Sequence, residues 1–219
     1  MKGTWWKILS AVLLLYAVVA GFFVEVPGSM IGETMRNLFF HVGMWFGMFA
    51  MLLVSFLYSL RYLRSFHRQD DRVAVEAVNT SLMFGFLGIF TGMIWANFTW
   101  GVPWVKDPKL NGAAVGIVIY LAYMVLRSSI DDPGKKAKVS AVYNIFAFVL
   151  WIVFILILPR LASESIHPGR DSNPVLPMSL SVPMRYVFYP AAIGWVLLGI
   201  WVMTIRVRAG NIKDRLNES

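Results

Sequence analysis

The stretch VSAVYNIFAFVLWIVFILIL, residues 139–158, has 20 consecutive residues without a charged side chain. A helix of this length rises about 30 Å, which matches the hydrocarbon thickness of a bilayer. Backbone N–H and C=O groups find no water there, so a helix, which pairs them internally, is the expected spanning form. The stretch therefore predicts a transmembrane helix.

Five further apolar runs extend this prediction to the whole chain. The six predicted spans are residues 6–23, 37–60, 77–94, 110–129, 139–158 and 186–205. Composition agrees, because 58% of the residues are hydrophobic and 15% are charged, which is unlike a soluble domain. We expect an all-α integral membrane protein with a single six-helix domain over residues 1–219. The first run lacks a small-residue cleavage site, so it is predicted to remain as a helix.

The distribution of Lys and Arg predicts the orientation of these helices. Of the 20 Lys and Arg residues, only six lie in the loops after the first, third and fifth spans, namely Arg36, Lys106, Lys109, Arg160, Arg170 and Arg185. Cytoplasmic loops carry the excess of positive charge, so both termini are predicted to be cytoplasmic. The net charge of +8 is then a topological signal, and we expect no nucleic-acid binding.

Tryptophans are concentrated in the predicted outward loop, residues 95–111. This loop lies within TGMIWANFTWGVPWVKDPKLNG, residues 91–112, and contains Trp95, Trp100 and Trp104 before Asp107. Indoles at helix ends often form only an interfacial belt. Three indoles mixed with turn-forming and charged residues in one loop favour a binding surface instead. If the loop formed a helical turn, Trp100 and Trp104 would share one face.

The chain has three histidines, and the predicted topology separates them. His41 lies about one turn inside the outer end of the second span, and His167 lies in the outer loop between the fifth and sixth spans. His67 falls in a basic cytoplasmic loop, where a solvated side chain is expected. An ionisable residue in a span is a functional candidate because it is costly in lipid, although His41 could simply bond to a neighbouring helix.

Two imidazoles beside several indoles restrict the choice of ligand. Zinc usually takes three or four protein ligands, and without cysteine the outer loops offer too few. Haem iron needs only two axial ligands, because the porphyrin supplies four nitrogens. Its flat macrocycle suits indoles, and its carboxylates suit cations on the outer face. No catalytic constellation is present, and we expect no enzyme activity.

The segment TWGVPWVKDPKL, residues 99–110, resembles the WWD motif of the haem-handling proteins of cytochrome c maturation. The family pattern reads approximately W-G-x-W-W-V-W-D. Pro103 and Lys106 stand where the family commonly has tryptophan. The matching positions are Trp100, Gly101, Trp104, Val105 and Asp107. With six helices and a histidine on each side of the motif, the chain is similar to the CcmC family from about residue 6 to residue 208.

This resemblance implies a ligand, a set of site residues and partners. The segments MRNLFFHV (35–42) and SIHPG (165–169) resemble those that carry the axial ligands of the family. The implied ligand is haem b, held at the periplasmic face of the bacterial inner membrane. The implied site residues are His41 and His167 as iron ligands, with Trp95, Trp100, Trp104, Asp107, Arg36 and Arg185 around the macrocycle. The implied partners are a periplasmic haem chaperone, ABC transporter subunits and a small membrane subunit.

Within this scheme the two histidines are expected to govern haem retention, and Trp100, Trp104 and Asp107 to govern transfer. Asp107 is expected to orient its loop, through Lys109 or a backbone N–H, or to contact the chaperone. Two alternatives remain open. One is a membrane b-type cytochrome in electron transfer, and the other is a haem-attaching synthase component that carries the same motif.

Overall fold

The computed structural model describes residues 3–26, 32–162, 165–167 and 180–218. Its helices are α1 Trp5–Phe23, α2 Leu38–Ser65, α3 Arg68–Trp100, α4 Pro108–Ser128, α5 Pro133–Ile152, α6 Leu158–Leu161 and α7 Val182–Glu218. A 3-10 turn, Gly32–Asn37, precedes α2, and a π-helical turn, Val153–Ile157, joins α5 to α6. Across these described ranges, six helical segments are long and apolar enough to cross a membrane, and no residue is in a strand. The predicted all-α class and number of spans are confirmed.

The helices extend beyond the predicted spans at the end of the bundle that is predicted to be cytoplasmic. The extensions include the last turn of α2, the first turns of α3 and the second half of α7. Their charged side chains pair between helices, in the pairs Arg61–Asp70, Arg68–Asp214, Arg72–Asp214, Arg127–Asp71 and Arg206–Glu76. Hydropathy detects the part of a helix that lies in hydrocarbon, so it misses these paired, polar continuations.

Helix α2 lies at the centre of the bundle and packs against α3, α5 and α7, while α1 packs on α7. The main core between α2, α3, α4 and α5 contains Leu52, Phe84, Tyr120 and Trp151, all almost fully buried. Helix α4 comes especially close to the π-helical turn. A Cβ atom at Gly112 would lie 2.3 Å from the Phe154 carbonyl oxygen, so only glycine permits this approach.

Short connections make α2, α3, α4 and α5 alternate in direction. The start of α2, the end of α3, the start of α4 and the end of α5 therefore meet at one end of the bundle. Helix α3 ends at Gly101, whose φ of 76° lies in the left-handed region and whose N–H bonds to the Asn97 carbonyl. Helix α4 begins with Asp107 as its N-cap and Pro108 in its first turn.

The non-helical part of the tryptophan segment is therefore shorter than the predicted loop 95–111, because only residues 101–107 lie between α3 and α4. Trp95 and Trp100 belong to α3, whereas Trp104 lies in the connection. The condition for Trp100 and Trp104 to share one helical face, a helical turn through both, is therefore not met. Gly101 ends the helix between them because it adopts a backbone conformation that other residues rarely reach.

Candidate functional site

A cavity opens at this end of the bundle, between α2, α3, α4 and the end of α5. Most of its wall is aromatic or aliphatic. Five of the eight predicted site residues line it, namely His41, His167, Trp95, Trp100 and Trp104. The structure thus brings together side chains that are up to 126 positions apart in the sequence. We call this space the aromatic cavity.

His41 is fixed within the wall of the aromatic cavity. It is the fourth residue of α2 and only 7% exposed. The rings of Trp45 and Trp95 meet it edge-on, with centroid distances of 6.2 and 5.7 Å. Its Nδ1 atom lies 3.1 Å from the Thr91 hydroxyl oxygen on α3. Contacts from two helices therefore determine the orientation of the imidazole.

His67 lies at the opposite end of α2, as predicted. It is the exposed residue immediately before α3. His41 and Ser65 are separated by 24 residue steps of α2, which span about 36 Å at 1.5 Å per residue. His67 therefore cannot contribute to the aromatic cavity.

Asp107 connects the tryptophan segment to the segment that carries His167. It is fully buried, and its Oδ1 atom accepts hydrogen bonds from the N–H groups of Lys109 and Leu110, at 2.8 and 3.4 Å. Its Oδ2 atom accepts from the Ser165 hydroxyl at 2.9 Å and from the N–H groups of Ile166 and His167, at 2.9 and 3.2 Å. One carboxylate therefore caps α4 and holds the His167 backbone beside the cavity.

These contacts also determine the charge and accessibility of Asp107. Burial alone would raise the pKa of Asp107, but the hydrogen bonds from Lys109, Ser165 and Ile166 lower this pKa below its ordinary value. The carboxylate is thus ionised at neutral pH. The predicted orienting contact with the Lys109 N–H is present. The alternative role, direct contact with a chaperone, does not agree with a side chain that is 0% exposed and absent from the cavity wall.

Two of the three indoles are held by hydrogen bonds as well as by packing. The Trp95 indole N–H donates to the Thr34 hydroxyl at 3.0 Å, which ties α3 to the 3-10 turn before α2. The Trp104 indole N–H donates to the Asn111 side-chain oxygen at 3.2 Å. Trp104 is only partly buried, and its neighbours Val102 and Pro103 are exposed. Hydrogen bonds therefore hold Trp95 and Trp104 in place, whereas part of the connection between α3 and α4 is exposed.

The two arginines predicted to contact the macrocycle lie outside the cavity wall. Arg36 pairs with Glu33 and donates to the Gly21 and Val24 carbonyls at 2.7 and 2.8 Å, so it holds the C-terminal end of α1. Arg185 donates from Nε to the Leu180 carbonyl at 2.8 Å. Two other cations, Lys109 and Arg160, line the cavity instead.

Several cavity residues were not predicted from the sequence, among them Trp45, Phe49 and Trp151. Trp45 could have been found, because it lies four residues after His41 and hence on the same helical face. Phe49 continues this face. Trp151 could not have been distinguished from the other apolar residues of its run, since its position depends on how α5 packs.

Two buried polar atoms in the cavity wall have no hydrogen-bond partner within the described part of the chain. They are the Thr99 hydroxyl and the Trp151 indole N–H. Buried polar groups are normally satisfied, so exceptions in a cavity are expected where a ligand binds. The π-helical turn contributes Ile155 and Leu156 to the same wall, and such turns occur frequently at functional sites.

A bare metal ion is a poor match for this end of the bundle. The ranges that the structure describes contain no group of three or more His, Cys, Asp or Glu side chains that could hold one. Two histidines in an apolar wall match a ligand that brings most of its own coordination.

Comparison with known proteins identifies the family. The family model described as heme exporter protein C matches residues 2–219. The chain belongs to the heme exporter protein C family. Similar proteins include the heme exporter protein C of Paracoccus denitrificans, 26% identical over 84% of this chain and 76% of that protein. The heme exporter protein C of Haemophilus influenzae is 23% identical over 94% of this chain and 83% of that protein.

A second group of relatives matches a smaller part of the chain. The cytochrome c biogenesis protein CcsA of Pelargonium hortorum is 31% identical over 48% of this chain, which is 32% of the plant protein. The aromatic cavity is thus found in a multi-pass membrane protein of the heme exporter protein C family, as the resemblance of the tryptophan segment predicted.

Proposed function

We propose that this protein binds haem b in the aromatic cavity, at the periplasmic face of the bacterial inner membrane, and passes it to a periplasmic haem chaperone during the biogenesis of c-type cytochromes. The observation that carries this proposal is the presence of His41 and His167, from distant parts of the chain, in one tryptophan-lined cavity. Membership of the heme exporter protein C family supports it. ABC transporter subunits and a small membrane subunit are the proposed partners within the membrane.

The cavity wall fits the chemistry of haem. Indole and phenyl side chains suit a flat apolar macrocycle, and two imidazoles can supply the axial nitrogens. Lys109 and Arg160 are cations in the cavity wall, whereas Arg36 and Arg185 lie outside it. A carboxylate of the ligand is attracted to cations in the wall, so we assign propionate recognition to Lys109 and Arg160.

The two histidines are held in place by different contacts, and this difference suggests how haem is held and released. His41 is part of α2 and is packed between Trp45 and Trp95. His167 lies outside the helices, and its backbone N–H is bonded to Asp107. When bound, haem supplies an iron centre that accepts both imidazoles. The Asp107 contacts of the His167 segment are therefore the ones whose loss would favour release, whereas His41 is fixed by its helix.

This arrangement changes the role assigned to Asp107. We infer that Asp107 governs retention, through His167, rather than transfer. Trp100 and Trp104 keep the proposed role in transfer, because they lie at the boundary between the cavity and the exposed connection at residues 101–106. That connection is the surface on which we expect the chaperone to bind.

Replacement of the two histidines tests haem binding. His41→Ala and His167→Ala should each lower the amount of haem that copurifies with the protein and should shift the Soret band, because one axial nitrogen is lost. His67→Ala is the matched control and should change neither. Loss of haem in His67→Ala alone, with normal binding in the other two variants, would place the site at the wrong end of α2.

Replacement of the two boundary indoles tests transfer. Each indole buries roughly 150–250 Å², which at about 25 cal/mol per Å² corresponds to about 4–6 kcal/mol before ordering costs. Trp100→Ala and Trp104→Ala should leave much of the bound haem in place, because both axial ligands remain, but should reduce haem-loaded chaperone and mature c-type cytochrome. Trp5→Ala, at the exposed start of α1, is the control. Normal chaperone loading in both cavity variants would indicate that these indoles only form an interfacial belt.

The positions of the histidines argue against an electron-transferring b-type cytochrome. Such a protein commonly places paired histidines deep on facing helices, whereas His41 is within the first turn of α2 and His167 is not helical.

A further inference from the structure

The hydroxyl group of Thr91 has three polar neighbours but only one proton. Its oxygen lies 2.9 Å from the Leu87 carbonyl oxygen, 3.1 Å from the Gly88 carbonyl oxygen and 3.1 Å from His41 Nδ1. Carbonyl oxygens can only accept hydrogen bonds. A Thr91 proton directed back along α3 to these carbonyls avoids repulsion between their lone pairs and those of the hydroxyl oxygen. The lone pairs of the hydroxyl oxygen remain available to the imidazole.

This arrangement favours one tautomer of His41, the one with the proton on Nδ1. An oxygen that accepts from Nδ1 requires a proton on Nδ1, and a neutral imidazole carries only one ring proton. The Nε2 atom then has a free lone pair, as a metal-binding nitrogen needs. If Thr91 instead donated its proton to Nδ1, the ring proton would be on Nε2, and Nε2 could not bind iron.

Two successive turns of α3 contact this ring. A Cβ atom at Gly92 would lie 2.8 Å from His41 Cε1, so the absence of a side chain there lets α3 reach the ring. Trp95 meets the ring edge-on from one turn further along. Thr91, Gly92 and Trp95 thus determine the hydrogen bond, the distance and the tilt of the imidazole.

We propose that Thr91 is a positioning residue that keeps His41 in the Nδ1-protonated tautomer, so that Nε2 is the atom that binds haem iron. This inference rests on the proposed function. A hydrogen bond from the outer nitrogen of a ligating histidine raises the basicity of the inner nitrogen, and removal of such a partner typically weakens metal binding about 10- to 100-fold.

The test compares two substitutions at Thr91 with one elsewhere in α3. Thr91→Val keeps the shape of the side chain but removes the oxygen, whereas Thr91→Ser keeps the hydroxyl. Thr80→Val is the matched control, because Thr80 is also on α3 and, within the described ranges, its hydroxyl bonds to its own helix, at the Glu76 carbonyl. The readouts are haem affinity, by titration of the purified protein, and the midpoint potential of the bound haem.

We expect Thr91→Val to bind haem about 10- to 100-fold more weakly and with a more positive midpoint potential, because the imidazole becomes a poorer donor. Thr91→Ser and Thr80→Val should match the wild type in both readouts. Wild-type behaviour of Thr91→Val would overturn the inference. Equal losses in Thr91→Val and Thr91→Ser would also overturn it, because they would indicate packing by the methyl group rather than the hydroxyl.

A measurement without haem separates this inference from the proposed function. In protein labelled with ¹⁵N-histidine, the His41 signals, assigned by their loss in His41→Gln, should show a protonated Nδ1 and an unprotonated Nε2. The opposite tautomer would overturn the inference even if haem binds. Failure of the wild type to bind haem, or unchanged binding in His41→Ala, would instead overturn the proposed function and the role of Thr91 with it.

Discussion

The substitution Asp107→Asn should detach the His167 segment without disturbing the start of α4. Asparagine is as good an N-cap as aspartate, so its side-chain oxygen can keep the contacts with Lys109 and Leu110. Its NH₂ group would then replace Oδ2 and point at three donors, those of Ser165, Ile166 and His167. The N–H groups of Ile166 and His167 cannot bond to another donor, whereas the Ser165 hydroxyl can rotate and accept a hydrogen bond from the amide.

The cost follows from the value of these hydrogen bonds. A hydrogen bond to a charged group contributes roughly 1.5–3 kcal/mol. The released donors form hydrogen bonds with water instead. The net loss of free energy is therefore equivalent to about one to two hydrogen bonds, or about 2–4 kcal/mol. At about 1.4 kcal/mol per tenfold change, the attached form of the His167 segment becomes about 30- to 900-fold less favourable. This factor is the upper limit for the loss of haem affinity.

The assay is a haem titration of purified protein, followed by absorbance. Asp107→Asn should bind haem weakly and lack the bis-imidazole spectrum, and free imidazole should restore that spectrum by replacing His167. Asp132→Asn is the control, because Asp132 also precedes a proline and caps a helix, at the other end of the bundle. The same affinity and spectrum in both variants would refute the coupling between Asp107 and His167.

The pH dependence is a further check on this reasoning. The hydrogen bonds lower the pKa of Asp107 in the folded protein, so its stabilising contribution is complete above the ordinary carboxyl range. This contribution is lost only as the pH falls through the lowered value. Attachment of the His167 segment should therefore be independent of pH near neutrality. A loss of the bis-imidazole spectrum that titrates between pH 6 and 8 in the wild type would have to come from a group other than Asp107.

Two more predictions concern topology and packing. A reporter that is active only outside the cytoplasm should work when fused within residues 106–112 and not at Lys136, and the reverse result would invert the proposed orientation. Gly92→Ala should weaken haem binding and lower the free energy of unfolding by about 1–3 kcal/mol, because the new methyl group overlaps the His41 ring. Gly134→Ala, which meets only one side-chain atom at 3.6 Å, should leave the absorbance titration and thermal unfolding unchanged, and equal effects of both substitutions would contradict this explanation.

The sequence was sufficient for the class of fold and for the end of the bundle that carries the site. Apolar runs of about 20 residues report directly on helices that cross hydrocarbon. Their ends were less predictable. Helix α3 begins nine residues before its predicted start at residue 77, because Asp71 and other charged residues there pair with neighbouring helices instead of ending the helix.

The members of the candidate site were predictable where their chemistry is distinctive. His41 and His167 stand out because histidine is rare in this chain, and the tryptophans stand out because they are clustered. The roles of charged residues were not predictable. Arg36 and Arg160 both belong to the predicted outer loops and look alike in the sequence. The packing of α1 shows that Arg36 caps a helix, and the course of the chain after the π-helical turn shows that Arg160 lines the cavity.

The bond between Asp107 and the His167 segment has a consequence for the order in which the nascent chain matures. Chains are synthesised from the N-terminus, so α2 and α3 are complete, and His41 can meet Thr91, while the ribosome is still making the fifth span. The hydrogen bonds to Asp107 Oδ2 can form only after residues 165–167, which follow that span, have been made. Under the proposed function, a partly synthesised chain thus offers only one of the two imidazoles, and the complete haem site forms in a single late step.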